Sequence, residues 1–275
     1  MAIIRGLLAS IYIGIQIESN WTRKIFYLIF LIFVPFTATI AVILIYGILG
    51  GGLSTDAFIF AFSGSLFYFL LSDIFFNAAF TVVDDRENYR MLKYIVLSKM
   101  NYLTYILGRG MGKGILSLIG VGLTLLWAIP ILKFQLNFNL LLFLFTLFFG
   151  FIGAFGLALI FAGYYMLSIR GETSLMDVLF GGFFIISGAL FPPNVLPKTI
   201  YTISVYFPLS NSIEMFRLSL FGRHLSPFLA DVPFKQFLLL FVFSNSITLL
   251  VGILFITLSI KRAVKKGYLD ITTAF

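Results

Sequence analysis

The chain has 275 residues, of which 60% are hydrophobic, 18% aromatic and only 11% charged, with a mean hydropathy of +1.06; these values exclude an ordinary soluble domain. It has no cysteine and a single histidine, His224, which excludes disulfides, thiol catalysis and a cysteine or multi-histidine metal site. The net charge of +8 invites a nucleic-acid reading, but the basic residues sit at the ends of apolar runs, where they act as topology anchors.

The first 20 residues combine Arg5 with a short apolar run, as a signal peptide would, but no small-x-small cleavage site follows. Ile4, Leu8, Ile11 and Ile15 form one stripe, with Arg5, Ser10, Gln16 and Glu18 away from it. The expectation is an interfacial amphipathic helix over 1–20 with Trp21 at headgroup level. Apolar runs then predict six transmembrane spans, at 24–49, 57–82, 105–130, 140–168, 174–191 and 237–260. The whole chain reads as one all-α, polytopic transmembrane domain, 1–275; helix-length segments argue against a β-barrel. With the N-terminus cytoplasmic, 14 of the 19 Lys and Arg residues fall inside and five outside. Both termini are therefore expected in the cytoplasm, with the chain in the cell membrane.

Span two carries Asp73 with Ser72 and Asn77 in its inner half. A carboxylate at membrane depth is costly, so it should face protein or water. Asp73 and Asn77 are candidates for a translocation path, with a helix–helix hydrogen bond as the competing role. After span two, 84–98 is acidic first (Asp84, Asp85, Glu87) and basic later (Arg86, Arg90, Lys93), the order that suits a helix dipole. Met91, Leu92, Ile95 and Val96 give it an apolar face. The segment 84–101 reads as a cytoplasmic helix that lies on the inner leaflet or docks a soluble protein; its mixed charge favours docking.

GRGMGKG at 108–114 fails as a phosphate loop: Leu107 stands at the first glycine position and Gly114 where Ser or Thr must hold magnesium. Gly108 with Gly112, and Gly110 with Gly114, instead make two small faces for close helix packing, as do Gly150, Ala154, Ala158 and Ala162 in span four. Asp177 stands near the start of span five, where a carboxylate suits the helix dipole. No catalytic constellation is present in the sequence, so any ATP hydrolysis must come from another subunit.

The stretch 188–222 is too broken to span and too apolar for a loop. Pro192, Pro193 and Pro208 set breaks. Leu196, Ile200, Ile203 and Phe207, then Ile213, Phe216 and Leu220, recur at helical spacing. Asn211 and Glu214 read as an N-cap and its N3 partner. The expectation is a re-entrant outer helical hairpin over 192–222, between spans five and six, acting as an outer gate through Ile203, Phe207, Glu214, Phe216 and Arg217; the alternative is a surface hairpin that only braces spans five and six. Glu214 and Arg217 are placed on its wetter face and His224 in a solvated loop.

The amphipathic start, the six spans, DREN-YRMLKYIVLSKMNYLTYILGR after span two and GALFPPNVLP…FPLSNSIEMFRLSLFG before span six together resemble permease subunits of ABC-2 type exporters. The likeness covers the chain in layout. Lys99 follows Ser98 where many members have proline, and Asn88-Tyr89 stand where many have Gly-Thr. The resemblance implies a coupling helix that touches an ATPase through Arg86, Glu87, Arg90 and Lys93, and a second permease copy in a homodimer. It also implies ATP and magnesium held by the ATPase, no cofactor on this chain, and outward transport of a hydrophobic drug-like molecule, a lipid or a lipid-linked glycan. The alternative is a stand-alone secondary transporter or channel, which usually needs several buried ionisable groups at mid-membrane; the sequence offers Asp73.

Overall fold

A computed structural model describes residues 2–20, 22–23, 25–27, 29, 33, 40, 42, 44–45, 56–132, 134–168 and 174–270. Span one of the sequence reading, 24–49, lies largely outside them. The described helices are α1 (Ala2–Ser19), α2 (Asp56–Val83), α3 (Leu92–Leu97), α4 (Tyr102–Leu132), α5 (Leu140–Leu167), α6 (Ser174–Ile186), α7 (Lys198–Tyr206), α8 (Pro208–Phe221) and α9 (Phe234–Lys266). Among the described residues there is no strand.

Among the described residues, four helical stretches are long and apolar enough to cross a membrane: Asp56–Asn88, Tyr102–Leu132, Leu140–Leu167 and Phe234–Lys266. Their burial ranks them. The most apolar stretch of the first is 72% buried and that of the last only 22%, so among the described helices α2 is the central one and α9 a peripheral one with an exposed apolar face. Some polar residues inside α2 are satisfied within the helix: Ser63 Oγ donates to the Ile59 carbonyl at 2.7 Å and Thr81 Oγ1 to the Asn77 carbonyl at 3.0 Å.

Small residues set the close contacts. A Cβ on Gly112 would stand 2.8 Å from the Ile11 carbonyl oxygen and 2.9 Å from the Ile15 nitrogen, both on α1. Gly108 faces Leu7 and Ser10 of the same helix. Gly110 and Gly114 face Ala78 and Ile74 of α2 instead. The two glycine faces expected on span three thus seat two different helices. The face α1 turns to α4 holds Ser10 and Gly14, both buried, while Ile4 and Leu8 of the expected stripe are exposed. Among the described elements the α5–α9 pairing is the most extensive, with Gly156 against the backbone of Thr248 and Leu249.

Three expectations change. Residues 84–98 are not one helix: α2 runs on into a π-helical turn, Asp84–Asn88, the chain breaks at Arg90 (φ +52°), and only Leu92–Leu97 forms α3. The acidic residues therefore sit at the C-terminal end of a long helix, not at the N-terminus of a short one. The helix expected over 174–191 ends at Ile186, because the chain turns at Gly188 (φ +69°), whose left-handed backbone suits glycine. Asn211 is no N-cap: Pro208 at the first helical position starts α8, with Phe207 extended before it. Asn211 lies inside the helix and donates to Ser244 Oγ of α9 at 3.2 Å.

The hairpin α7–α8 closes the end of the molecule where α2 begins. Asn137 and Asn139, in the α4–α5 connection, donate backbone N–H groups to the carbonyls of Leu220 and Ser219 at 2.9 Å each. Arg223, just past α8, grips Asp56 at the start of α2 through bonds of 2.9 and 2.6 Å. Both partners are more than half exposed, so this pair contributes at most about 1 kcal/mol. We call this the distal end, and the end bearing 84–97 the proximal end.

Candidate functional site

Among the described residues, three polar constellations lie along α2. The proximal one holds the segment 84–97. Arg109, well inside α4 and 1% exposed, meets Asp85 Oδ1 at 2.9 Å and Asp84 Oδ2 at 3.3 Å. The Tyr105 hydroxyl donates to Asp85 Oδ1 at 3.1 Å. These bonds offset what the α2 dipole would otherwise cost carboxylates at its C-terminal end. Arg86 is buried too: its Nε pairs with Glu87 at 2.9 Å, and its Nη1 donates to the carbonyls of Tyr165 and Ser168 at the end of α5. Arg86 was expected on a docking surface; it faces inward as a tie, and Glu87 is engaged with it. Arg90 and Lys93 are exposed, as are Tyr89, Tyr94 and Leu97, so the outward face of the segment is aromatic and basic.

The second constellation joins α1, α2 and α4. Asp73 accepts a short hydrogen bond from Ser117 of α4. Asn77 donates to Glu18 Oε1 of α1 at 2.5 Å, and Glu18 Oε2 pairs with Lys113 at 2.8 Å. Asp73 and Asn77 thus belong to one cluster, and the helix–helix bond weighed for Asp73 is present. Sequence reasoning missed Glu18, Lys113 and Ser117. A signal existed for Lys113 and Arg109: both lie well past the first turn of α4, deeper than a headgroup anchor needs.

The third constellation is distal. Arg217 is 1% exposed and Glu214 fully buried, which corrects their placement on a wetter face. Arg217 pairs with Glu214 at 3.2 Å and donates to the carbonyls of Phe60, Gly188 and Ala189 at 2.9, 2.8 and 3.2 Å. Its guanidinium also stacks 3.3 Å from the Phe60 ring centroid. Gly64 makes this entry possible, because a Cβ there would collide with the guanidinium and with the Ala189 carbonyl. His224 is not a free loop residue: its Nδ1 lies 2.9 Å from Glu214 Oε1. One buried arginine so holds α8, the start of α2 and the turn after α6 together.

The five residues expected as an outer gate divide between two faces. Phe216 is buried and stacks on Phe67 of α2, with centroids 4.2 Å apart and planes at 9°. With Glu214 and Arg217 it belongs to the packing under the hairpin. Ile203 is 52% exposed and, with Phe207, Thr199, Thr202 and Tyr206, lines an open groove of about 750 Å³. Among the described residues no group of three or more His, Cys, Asp and Glu side chains converges as a metal site would require.

The family model described as ABC-2 type transporter matches residues 8–221, from α1 to the last residue of α8, and so spans all three constellations apart from His224. No curated protein matches the chain.

Proposed function

The chain belongs to the ABC-2 type transporter family, and from that premise we propose that it is the permease subunit of an ATP-driven exporter. The family is one of multi-pass membrane permeases that normally work with an ABC ATPase subunit. In this reading the proximal end is cytoplasmic, as the 14 to 5 division of cations favours, and the hairpin is a re-entrant element at the outer surface. Two copies pair, each meeting an ATPase that carries ATP and magnesium, and the cargo is a hydrophobic or amphipathic compound moved outward.

One observation carries the coupling part of this reading. The segment 84–97 turns Arg90, Lys93, Tyr94 and Leu97 outward while Arg86, Arg109, Asp84 and Asp85 anchor it from beneath. A surface patch that is aromatic and basic, and firmly backed, suits a protein partner. Arg90→Glu should insert normally, because the residue is solvent-exposed, and should lower ATPase co-purification roughly tenfold, on the order of 1.4 kcal/mol for a reversed interface charge. Unchanged co-purification and ATP hydrolysis would remove the segment from the docking surface.

A second reading, a gradient-driven carrier working alone, draws on the Glu18–Lys113–Asp73–Asn77 cluster, which gives the membrane region more ionisable groups than Asp73 alone. Proteoliposomes separate the two: ATP without a proton or sodium gradient drives the exporter, and a gradient without ATP drives the carrier.

A further inference from the structure

The segment 84–97 is fastened to two spans by two separate side chains. The first branch runs to α4: Arg109 holds Asp85 at 2.9 Å and Asp84 at 3.3 Å, and Tyr105 adds a hydrogen bond to Asp85. The second runs to α5: Arg86 donates from one nitrogen to the carbonyls of Tyr165 and Ser168, at 3.0 and 2.9 Å. Both guanidiniums are almost wholly buried, so water competes little for their partners. Between the branches the backbone is a π-helical turn in which the Tyr89 N–H reaches back to the Asp84 carbonyl at 2.9 Å, and the Met91 N–H reaches the Asp85 carbonyl at 2.8 Å. Such a turn is rare in regular helices and recurs at functional positions. The covalent chain adds a third connection, since the turn continues α2 without a break.

This arrangement exceeds what folding a short loop needs. A six-residue amphipathic helix could rest on the bilayer through Leu92 and Ile95 alone. Here the carboxylates of Asp84 and Asp85, which would be well hydrated on a surface, are drawn inward against an arginine.

We infer that Arg109 and Arg86 are positioning residues that transmit a displacement of 84–97 along two independent branches, Arg109 to the proximal end of α4 and Arg86 to that of α5. The inference rests on the reading that 84–97 docks an ATPase. It adds which spans respond and through which side chains. A push on the docking face then reaches α4 and α5 directly, and reaches α1 through the tight α1–α4 contact at Gly108 and Gly112.

The branches can be cut separately. Asp85→Asn with Arg109→Gln removes the arginine together with its fully buried partner, and leaves Asp84, which is partly exposed and still accepts from Asn88, as the remaining carboxylate; this avoids the unpaired buried ion that makes single changes at such a pair destabilising. Arg86→Gln removes the second branch. The readout is amide hydrogen exchange of the permease–ATPase complex with and without ATP, magnesium and vanadate, which traps the nucleotide-bound state. It is followed in peptides covering 84–97, 102–113 and 160–168. Wild type should change exchange in all three. The Asp85→Asn, Arg109→Gln variant should keep the response in 84–97 and 160–168 and lose it, by roughly threefold or more in rate, in 102–113. Arg86→Gln should show the opposite selection, losing 160–168 and keeping 102–113. A merely structural role would give equal loss in all three peptides, or none, and either result overturns the inference. If the double variant fails to fold, Arg109→Lys takes its place: it keeps the charge but offers no planar fork, and should lose part of the 102–113 response alone. An equal change in all peptides overturns the inference there as well. If trapping wild type alters no peptide, 84–97 included, the docking reading itself fails, a result distinct from failure of the branches.

Discussion

Replacing Arg217 with Met should be the most damaging single change in the distal half. Met keeps much of the volume but takes away the bond to Glu214 and the bonds to the carbonyls of Phe60, Gly188 and Ala189. It also removes the stacking on the Phe60 ring. Glu214, fully buried, is left with His224 as its remaining partner. Breaking a buried ion pair from one side costs about 3–5 kcal/mol, because the other charge stays desolvated. At roughly 2–4 °C per kcal/mol for a chain of this size, the thermal midpoint in detergent should fall on the order of 10 °C. Glu214→Gln should cost less, about 1–3 kcal/mol, since Arg217 retains its three carbonyls. The double variant, Arg217→Met with Glu214→Gln, should be more stable than Arg217→Met alone because it buries no charge. Thermal unfolding followed by intrinsic fluorescence checks the order. An Arg217→Met midpoint within about 2 °C of wild type, or a double variant no better than that single, would show that the buried pair does not hold the distal end together.

Gly112→Val should pry α1 from α4, because its new Cβ meets backbone atoms of Ile11 and Ile15 that cannot give way; faster amide exchange across α1 checks it, and wild-type protection there counts against it. Asp73→Asn should insert normally, since the amide oxygen still accepts from Ser117, and should shift the thermal midpoint by a few degrees at most, about 1 kcal/mol; a drop on the order of 10 °C would show that the carboxylate charge holds the α1–α2–α4 cluster together. A single cysteine at position 88, in a chain with no native cysteine, should resist an impermeant thiol reagent in intact cells and react after permeabilisation. Labelling from outside would invert the topology.

Periodicity and composition made much of the fold legible. The apolar runs place the helices at 57–82, 105–130, 140–168 and 237–260 to within a few residues of α2, α4, α5 and α9. Pro208 reads correctly as the joint of the distal hairpin, because a residue without a backbone donor leaves few alternatives. The paired glycines of α4 announce close packing, though not which helix sits on which face. The break at Arg90 left no such mark: no glycine or proline stands there, and the residues before it are held inward by contacts of Arg86 and Arg109 with residues distant in the chain. Glu214 and Arg217 show the same limit. Their i, i+3 spacing is identical for a solvated surface pair and for a buried clamp. What separates the two is a hole at Gly64 and carbonyls at Phe60 and Gly188, far away in the chain. Glu18 and Lys113 stay hidden for that reason too, since each looks like an interfacial charge until α1 is laid against α4.

Co-expression of the tagged permease with an ABC ATPase subunit, followed by purification in mild detergent and reconstitution, tests the central claim most directly. The expected result is a stable complex of the two whose vanadate-sensitive ATP hydrolysis requires the permease and falls when Arg90 is changed to Glu. A permease that purifies alone and moves cargo down an ion gradient with no ATPase present would contradict it.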